Sequence, residues 1–113
     1  MRVLVCGGRD FKDYPFLCRT LGVVDSKEGI DTIISGAAKG ADTLAADWAA
    51  MNWAYLEEYP AQWDKYGRKA GPIRNKQMLD EGQPDLVIAF PGGHGTDNMC
   101  KQAEKAGVEV RRV

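Results

Sequence analysis

The sequence is poor in the groups that build metal and disulfide chemistry: 113 residues carry one histidine and three cysteines. Cys6, Cys18 and Cys100 lie far apart, with no Cys-x-x-Cys pair. That pattern excludes a zinc knuckle or a disulfide framework and reads as reduced cytosolic thiols, so no metal is expected. Long apolar runs are missing too. None approaches the ~20 residues that a membrane span needs, and MRVLVCGG has no signal-peptide layout. A cytoplasmic protein without membrane attachment is the expectation. Charge of one sign is also lacking: the net charge is −1 and the pI about 5.8. Without a basic excess there is no broad phosphate-coating surface, so nucleic acid is not an expected partner. No Gly-Lys-Ser/Thr follows any glycine-rich turn, and Gly7-Gly8-Arg9 does not fit GxGxxG. A nucleoside triphosphatase and a standard dinucleotide oxidoreductase are thereby disfavoured. Linkers, repeats and low-complexity stretches are absent as well.

What is present is a balanced composition, 44% hydrophobic and 27% charged, enough for a core in one domain over residues 1–113. Apolar runs alternate with amphipathic stretches. Strands are expected at Arg2–Cys6, Thr32–Ile34, Trp53–Glu58, Leu86–Phe90 and Val108–Arg112. Helices are expected from Tyr14 to about Val24, over Ala41–Asn52, from Gly71-Pro72 to about Glu81, and over Gly95–Ala106, with a loop at Tyr59–Ala70. Asp13 can cap the first helix, and Pro15 fits its first turn. Ala41, Leu44, Ala45, Trp48 and Ala49 follow the helical period closely. Short buried strands alternating with helices predict an α/β, Rossmann-like three-layer sandwich with a mainly parallel five-stranded sheet, order 3-2-1-4-5.

In such a sheet the strand C-terminal ends share one edge, where ligands bind. Three unusual loops belong there: Gly7-Gly8-Arg9-Asp10 after strand 1, Ser35-Gly36-Ala37-Ala38-Lys39-Gly40-Ala41-Asp42 after strand 2, and Pro91-Gly92-Gly93-His94-Gly95-Thr96-Asp97 after strand 4. Bare backbone N–H groups at helix N-termini attract anions, and glycine lets a phosphate approach. One glycine-rich turn is often only a turn; three on one edge favour a site for a phosphorylated ligand.

The stretches CGGRDF, SGAAKGADTLAADWA, GPIRN and PDLVIAFPGGHGTDNM span most of the chain. In them the chain resembles the SLOG superfamily, within its YspA-like, cpYpsA-related branch. The resemblance implies a Rossmann-like fold and a nucleotide-type ligand, often derived from NAD or ADP-ribose. LOG relatives cleave ribose 5'-monophosphate from a base, other relatives bind nucleotides as sensors, and DprA relatives bind single-stranded DNA. Pro91-Gly92-Gly93-x-Gly95-Thr96 matches the LOG phosphate loop, and Arg74 is the counterpart of a LOG arginine. The LOG catalytic glutamate falls three positions after the threonine, where this chain has Met99. A thioether cannot handle a proton or stabilise a cationic sugar centre.

The expected ligand set is therefore Gly7, Gly8, Arg9, Ser35, Gly36, Ala37, Gly40, Asp42, Arg74, Asn75, Pro91, Gly92, Gly93, His94, Gly95 and Thr96, with Asp10, Asp42 and Arg74 the weak catalytic candidates. Several have a bland reading beside the functional one. Arg74 is a ligand arginine or a surface arginine; Asp10 and Asp42 are site carboxylates or helix and turn caps; Thr96 is a phosphate ligand or an N-cap. His94 has a place in the loop that needs only its backbone. Lys39 reads as solvated. Trp63 and Tyr66, amid Lys65, Arg68 and Lys69, either stack a base or pack over the sheet edge or a subunit contact. Trp48 and Trp53 are expected in the core, and Met99, Cys100 and Ala103 face it. The resulting expectation is a nucleotide sensor or sequestering module that needs no cofactor and forms a homo-oligomer. The alternatives are a LOG-like phosphoribohydrolase and DprA-like single-strand binding.

Overall fold

A computed structural model describes residues 1–113. Five strands, β1 (Arg2–Cys6), β2 (Thr32–Ser35), β3 (Tyr55–Glu58), β4 (Leu86–Ala89) and β5 (Glu109–Arg112), form a sheet in the order β3-β2-β1-β4-β5. Every pairing is parallel, with Val3 opposite Ile33 on one side and Leu86 on the other. The expected α/β architecture and strand order are thus observed. The helices are α1 (Tyr14–Glu28), α2 (Ala41–Met51), a single turn α3 (Trp63–Tyr66) leading into a 3-10 turn at Gly67–Lys69, α4 (Ala70–Gly82) and α5 (His94–Lys105).

Alternation along the strands divides the core into two layers. Val3, Val5, Ile33, Leu86, Ile88 and Phe90 pack on one face with Leu17 and Leu21 of α1 and Ala45, Trp48 and Ala49 of α2. Leu4, Cys6, Ile34, Val87 and Ala89 pack on the other with Met78 of α4 and Met99, Cys100 and Ala103 of α5. Each layer has its own pair of helices, as a parallel sheet buried on both faces requires.

Three local expectations are corrected. Helix α1 runs on to Glu28 because its last, polar turn is held by side-chain chemistry that apolar periodicity does not register. Asp25 Oδ1 accepts the Ile30 N–H at 2.8 Å, and the Asp25 carbonyl accepts the Gly29 N–H at 2.9 Å. The expected loop at 59–70 contains α3 and the 3-10 turn. Trp53, expected in the core, is 96% exposed. It occupies the left-handed position, φ 61°, that ends α2: the Ala54 N–H reaches the Ala49 carbonyl at 3.0 Å, closing a helix-terminating turn that directs the indole outward.

Candidate functional site

The sequence places a glycine pair directly after β1, the central strand, so two neighbouring loops can come close. The Gly8 N–H donates to the Pro91 carbonyl at 2.8 Å, and the Gly8 carbonyl accepts the Ala41 N–H at 3.2 Å. Gly8 therefore ties the β1 loop to the β4–α5 loop on one side and to the start of α2 on the other. Together these loops floor a cleft of about 1310 Å³ at the C-terminal edge of the sheet. All the expected site residues line it except Ser35, the last residue of β2, and Gly40, the residue before α2. Ser35 is fully buried, and its Oγ accepts the Ala37 N–H at 3.1 Å. That bond supports Ala37 at φ 57°, an uncommon backbone conformation for a residue with a Cβ.

The two helix starts at this edge differ. At α2 the first N–H is taken by the Gly8 carbonyl, and the second residue, Asp42, brings a carboxylate. At α5 the N–H groups of His94, Gly95 and Thr96 precede the first helical bond, from Asp97 N–H to the Gly93 carbonyl at 3.0 Å, and have no backbone acceptor. At α2 two N–H groups, those of Asp42 and Thr43, stay without a backbone acceptor and lie beside the Asp42 carboxylate; at α5 three stay bare at the positive end of the helix. Gly92 must be glycine here: a Cβ would fall on Thr96 Oγ1 and within 2.7 Å of the Gly8 nitrogen. Thr96, expected as a possible N-cap, is the third residue of α5; Gly93 is the cap and no side chain bonds there.

Asp42 does not cap its own helix. Its Oδ2 accepts the Ala38 N–H at 3.1 Å, closing the loop that precedes α2. Burial pushes its carboxyl up to about 6, opposed by that N–H and by the Arg74 guanidinium. Arg74, in the second turn of α4, donates to the Gly36 carbonyl at 2.6 Å and to Asn75 Oδ1 at 3.0 Å. Burial lowers its pKa, the charge of Asp42 opposes this, and Arg9 adds a like-charge repulsion in the same direction as burial. The Arg9 and Arg74 guanidinium groups therefore share this end of the cleft with a single buried carboxylate. Lys12, Lys39 and Arg68 line it too, against Asp10 and Asp13 at its rim. The wall is net positive although the chain is net negative.

Sequence reasoning missed one part of the wall. Asn75 Nδ2 donates to Asn98 Oδ1 at 3.1 Å and to the Gly95 carbonyl at 3.3 Å, and Gln102 Nε2 donates to Asn98 Oδ1 at 2.8 Å. This network joins α4 to α5 and fixes the turn that opens α5. The i,i+4 pair Asn98 and Gln102 on a helix otherwise read for its apolar face was the available signal. Of the two aromatic residues in the 59–70 segment, Trp63 lines the cleft, whereas Tyr66 lines a separate small groove with Gln62, Lys65 and Ile73.

The raised Asp42 carboxyl has a testable consequence. Its folded pKa, about 6, exceeds the ordinary 3.8. The folded state therefore holds the proton more tightly, and stability falls as pH rises between these values. The drop amounts to roughly 3 kcal/mol and persists above pH 6. Asp42→Asn keeps an acceptor for Ala38 and removes the titration. Urea unfolding between pH 4 and pH 7 should show a shallower decline for this variant than for the wild type. Parallel curves would refute the assignment.

Comparisons with known proteins bear on the family and the fold. The family model of the YspA, cpYpsA-related SLOG family (YAcAr) matches residues 1–66, from β1 through α3. The chain is 35% identical over 121 residues to Gene 61 protein of Mycobacterium phage D29, an alignment covering 96% of this chain and 93% of that protein. It resembles the X-ray structure of DNA processing protein A (DprA) from Streptococcus pneumoniae with a TM-score of 0.75 at 20% identity, over 98% of this chain and 49% of that one. The chain thus spans about half the length of the DprA structure, and the likeness is one of fold.

Proposed function

The chain belongs to the YspA, cpYpsA-related SLOG family, and from that premise we propose that it binds a small phosphorylated, nucleotide-type ligand in the cleft, as a sensor or sequestering module. The observation that carries this reading is the start of α5: three N–H groups without backbone acceptors, on a glycine-rich turn, facing a cleft with two repelling guanidinium groups. An anion there would satisfy the N–H groups and relieve the repulsion. The phosphate would lie on Gly93–Thr96, and Arg74 would hold it or the adjoining sugar. The volume exceeds the ~300–1,000 Å³ of ordinary small-molecule pockets and leaves room for more than a phosphate.

Binding without cleavage is favoured over a phosphoribohydrolase by the environment of Met99. That side chain is fully buried in the layer between the sheet and α4–α5, so the position offers the cleft no catalytic group. Asp42 is the buried carboxylate of the cleft and is committed to Ala38, while Asp10 and Asp13 stand exposed at the rim.

Gly93→Val tests the phosphate loop. Gly93 lines the cleft at a negative φ, −111°, and nothing lies within 4 Å of its Cβ position, so the added Cβ meets open space. Calorimetry with AMP, ADP-ribose and NAD should find at least one ligand for the wild type, weakened tenfold or more in Gly93→Val with its melting temperature unchanged. Liquid chromatography of the same mixtures should show no release of adenine or nicotinamide. Equal affinity in the variant would remove the phosphate from this loop, and multiple turnover by the wild type would promote the enzyme.

A further inference from the structure

The cleft is far larger than a phosphate needs, and the wall away from α5 carries an aromatic side chain that folding leaves half uncovered. Trp63, the first residue of α3, is 48% exposed although its indole edge lies over helix α4, where a Cβ on Gly71 would come within 3.4 Å of Cη2. The bare backbone of Gly71 lets the ring settle against the start of that helix. Indole buries more apolar area than almost any other side chain, and leaving half of it open gives up part of that gain. Trp53 is exposed as well, but it projects from the end of α2 and does not line the cleft. The guanidinium of Arg9 stands 6.0 Å from the centroid of the Trp63 ring, and Arg9 makes no ion pair in the protein. Arg9 follows Gly8, whose N–H is bonded to Pro91 of the β4–α5 turn. One short stretch thus links the open indole to the anion-binding end of the cleft.

We infer that Trp63 is the base platform of this site: a nucleotide whose phosphate lies on the start of α5 stacks its flat aromatic base on the exposed indole, with Arg9 flanking the stack. The inference rests on the reading of the cleft as a nucleotide-type site and adds which side chain holds the base. Stacking reads a π face rather than a hydrogen-bond pattern, so the platform accepts purines of either kind. Sugar phosphates lacking a base gain nothing from Trp63.

AMP and ribose 5-phosphate separate the two ends of the ligand. Titration calorimetry should show the wild type binding AMP more tightly than ribose 5-phosphate. Trp63→Ala should lower AMP affinity by about tenfold or more and leave ribose 5-phosphate affinity unchanged. Trp63→Phe, which keeps a ring, should recover most of the loss. Tryptophan emission should be quenched by AMP in the wild type, not by ribose 5-phosphate, and the quenching should vanish in Trp63→Phe, which retains Trp48 and Trp53. An unchanged AMP affinity in Trp63→Ala would overturn the platform and leave the phosphate site standing. Equal weakening of AMP and ribose 5-phosphate would also overturn it, since a packing residue would act that way. If the wild type binds neither compound, the platform falls; if it also binds neither ADP-ribose nor NAD, the phosphate-site reading falls with it.

Discussion

Met99→Glu is expected to destabilise the protein by about 4 kcal/mol or more at neutral pH, the largest effect of any single substitution considered for the β4–α5 unit. Met99 is fully buried among Leu4, Ile34, Met78 and Val87. A carboxylate placed there loses its water and gains no partner, so burial holds its pKa far above the ordinary range. The sign follows: with a folded pKa above the unfolded one, the variant is least unstable below about pH 4 and loses further stability as pH rises. Met99→Leu, similar in volume and apolar, should cost less than ~1.5 kcal/mol and show no such dependence. Guanidinium unfolding of both variants at pH 5 and pH 8 distinguishes the outcomes. A Met99→Glu protein of wild-type stability at pH 8 would mean that this side chain reaches water. The argument from Met99 against ribosyl-bond cleavage would then be lost.

The same position shows how sequence and structure share the evidence. The resemblance to LOG relatives implies an acid three positions after Thr96, where this chain has Met99, and the period of Met99 with Cys100 and Ala103 turns it inward; the structure puts it in the core. The strand order was legible because each strand is short, apolar and followed by a helix, which leaves few parallel arrangements. The loops of the cleft were legible because three glycine-rich turns follow strands whose C-terminal ends share one edge. Three features were not. Trp53 sits where a helix ends on a left-handed residue that is usually glycine, and its hydrophobicity mimics a strand residue. Beyond the Asp42 carboxylate, the difference between the two helix starts depends on the carbonyl of Gly8, which reaches across 33 positions of sequence to Ala41. The division of labour between Trp63 and Tyr66 depends on a single turn of helix, and one turn carries no periodicity to read.

That Gly8 carbonyl also determines the second large effect. Gly40→Val should cost about 3 kcal/mol or more and abolish ligand binding, whereas the same substitution at Gly93 leaves the fold intact. Gly40 has φ 79° and ψ −124°, a region essentially closed to residues with a Cβ. A Cβ there would also fall on the Gly8 carbonyl oxygen and within 2.6 Å of the Arg9 carbonyl carbon. The β1 loop would have to move away from α2, breaking the Ala41 N–H to Gly8 bond and displacing Arg9. The bond from Gly8 to Pro91 would carry the disturbance to the start of α5, so the cleft would lose its floor on both sides. At Gly93 none of these neighbours exists: an added Cβ meets open space, and φ is negative. Thermal unfolding of the two variants in parallel, with amide exchange over residues 7–10 and 36–42, checks the contrast. Gly40→Val should melt well below the wild type and exchange rapidly in both loops, and Gly93→Val should match the wild type in both measurements. If the two variants melt together, the three loops do not form one interlocked unit, and the cleft does not depend on Gly8 as its hub.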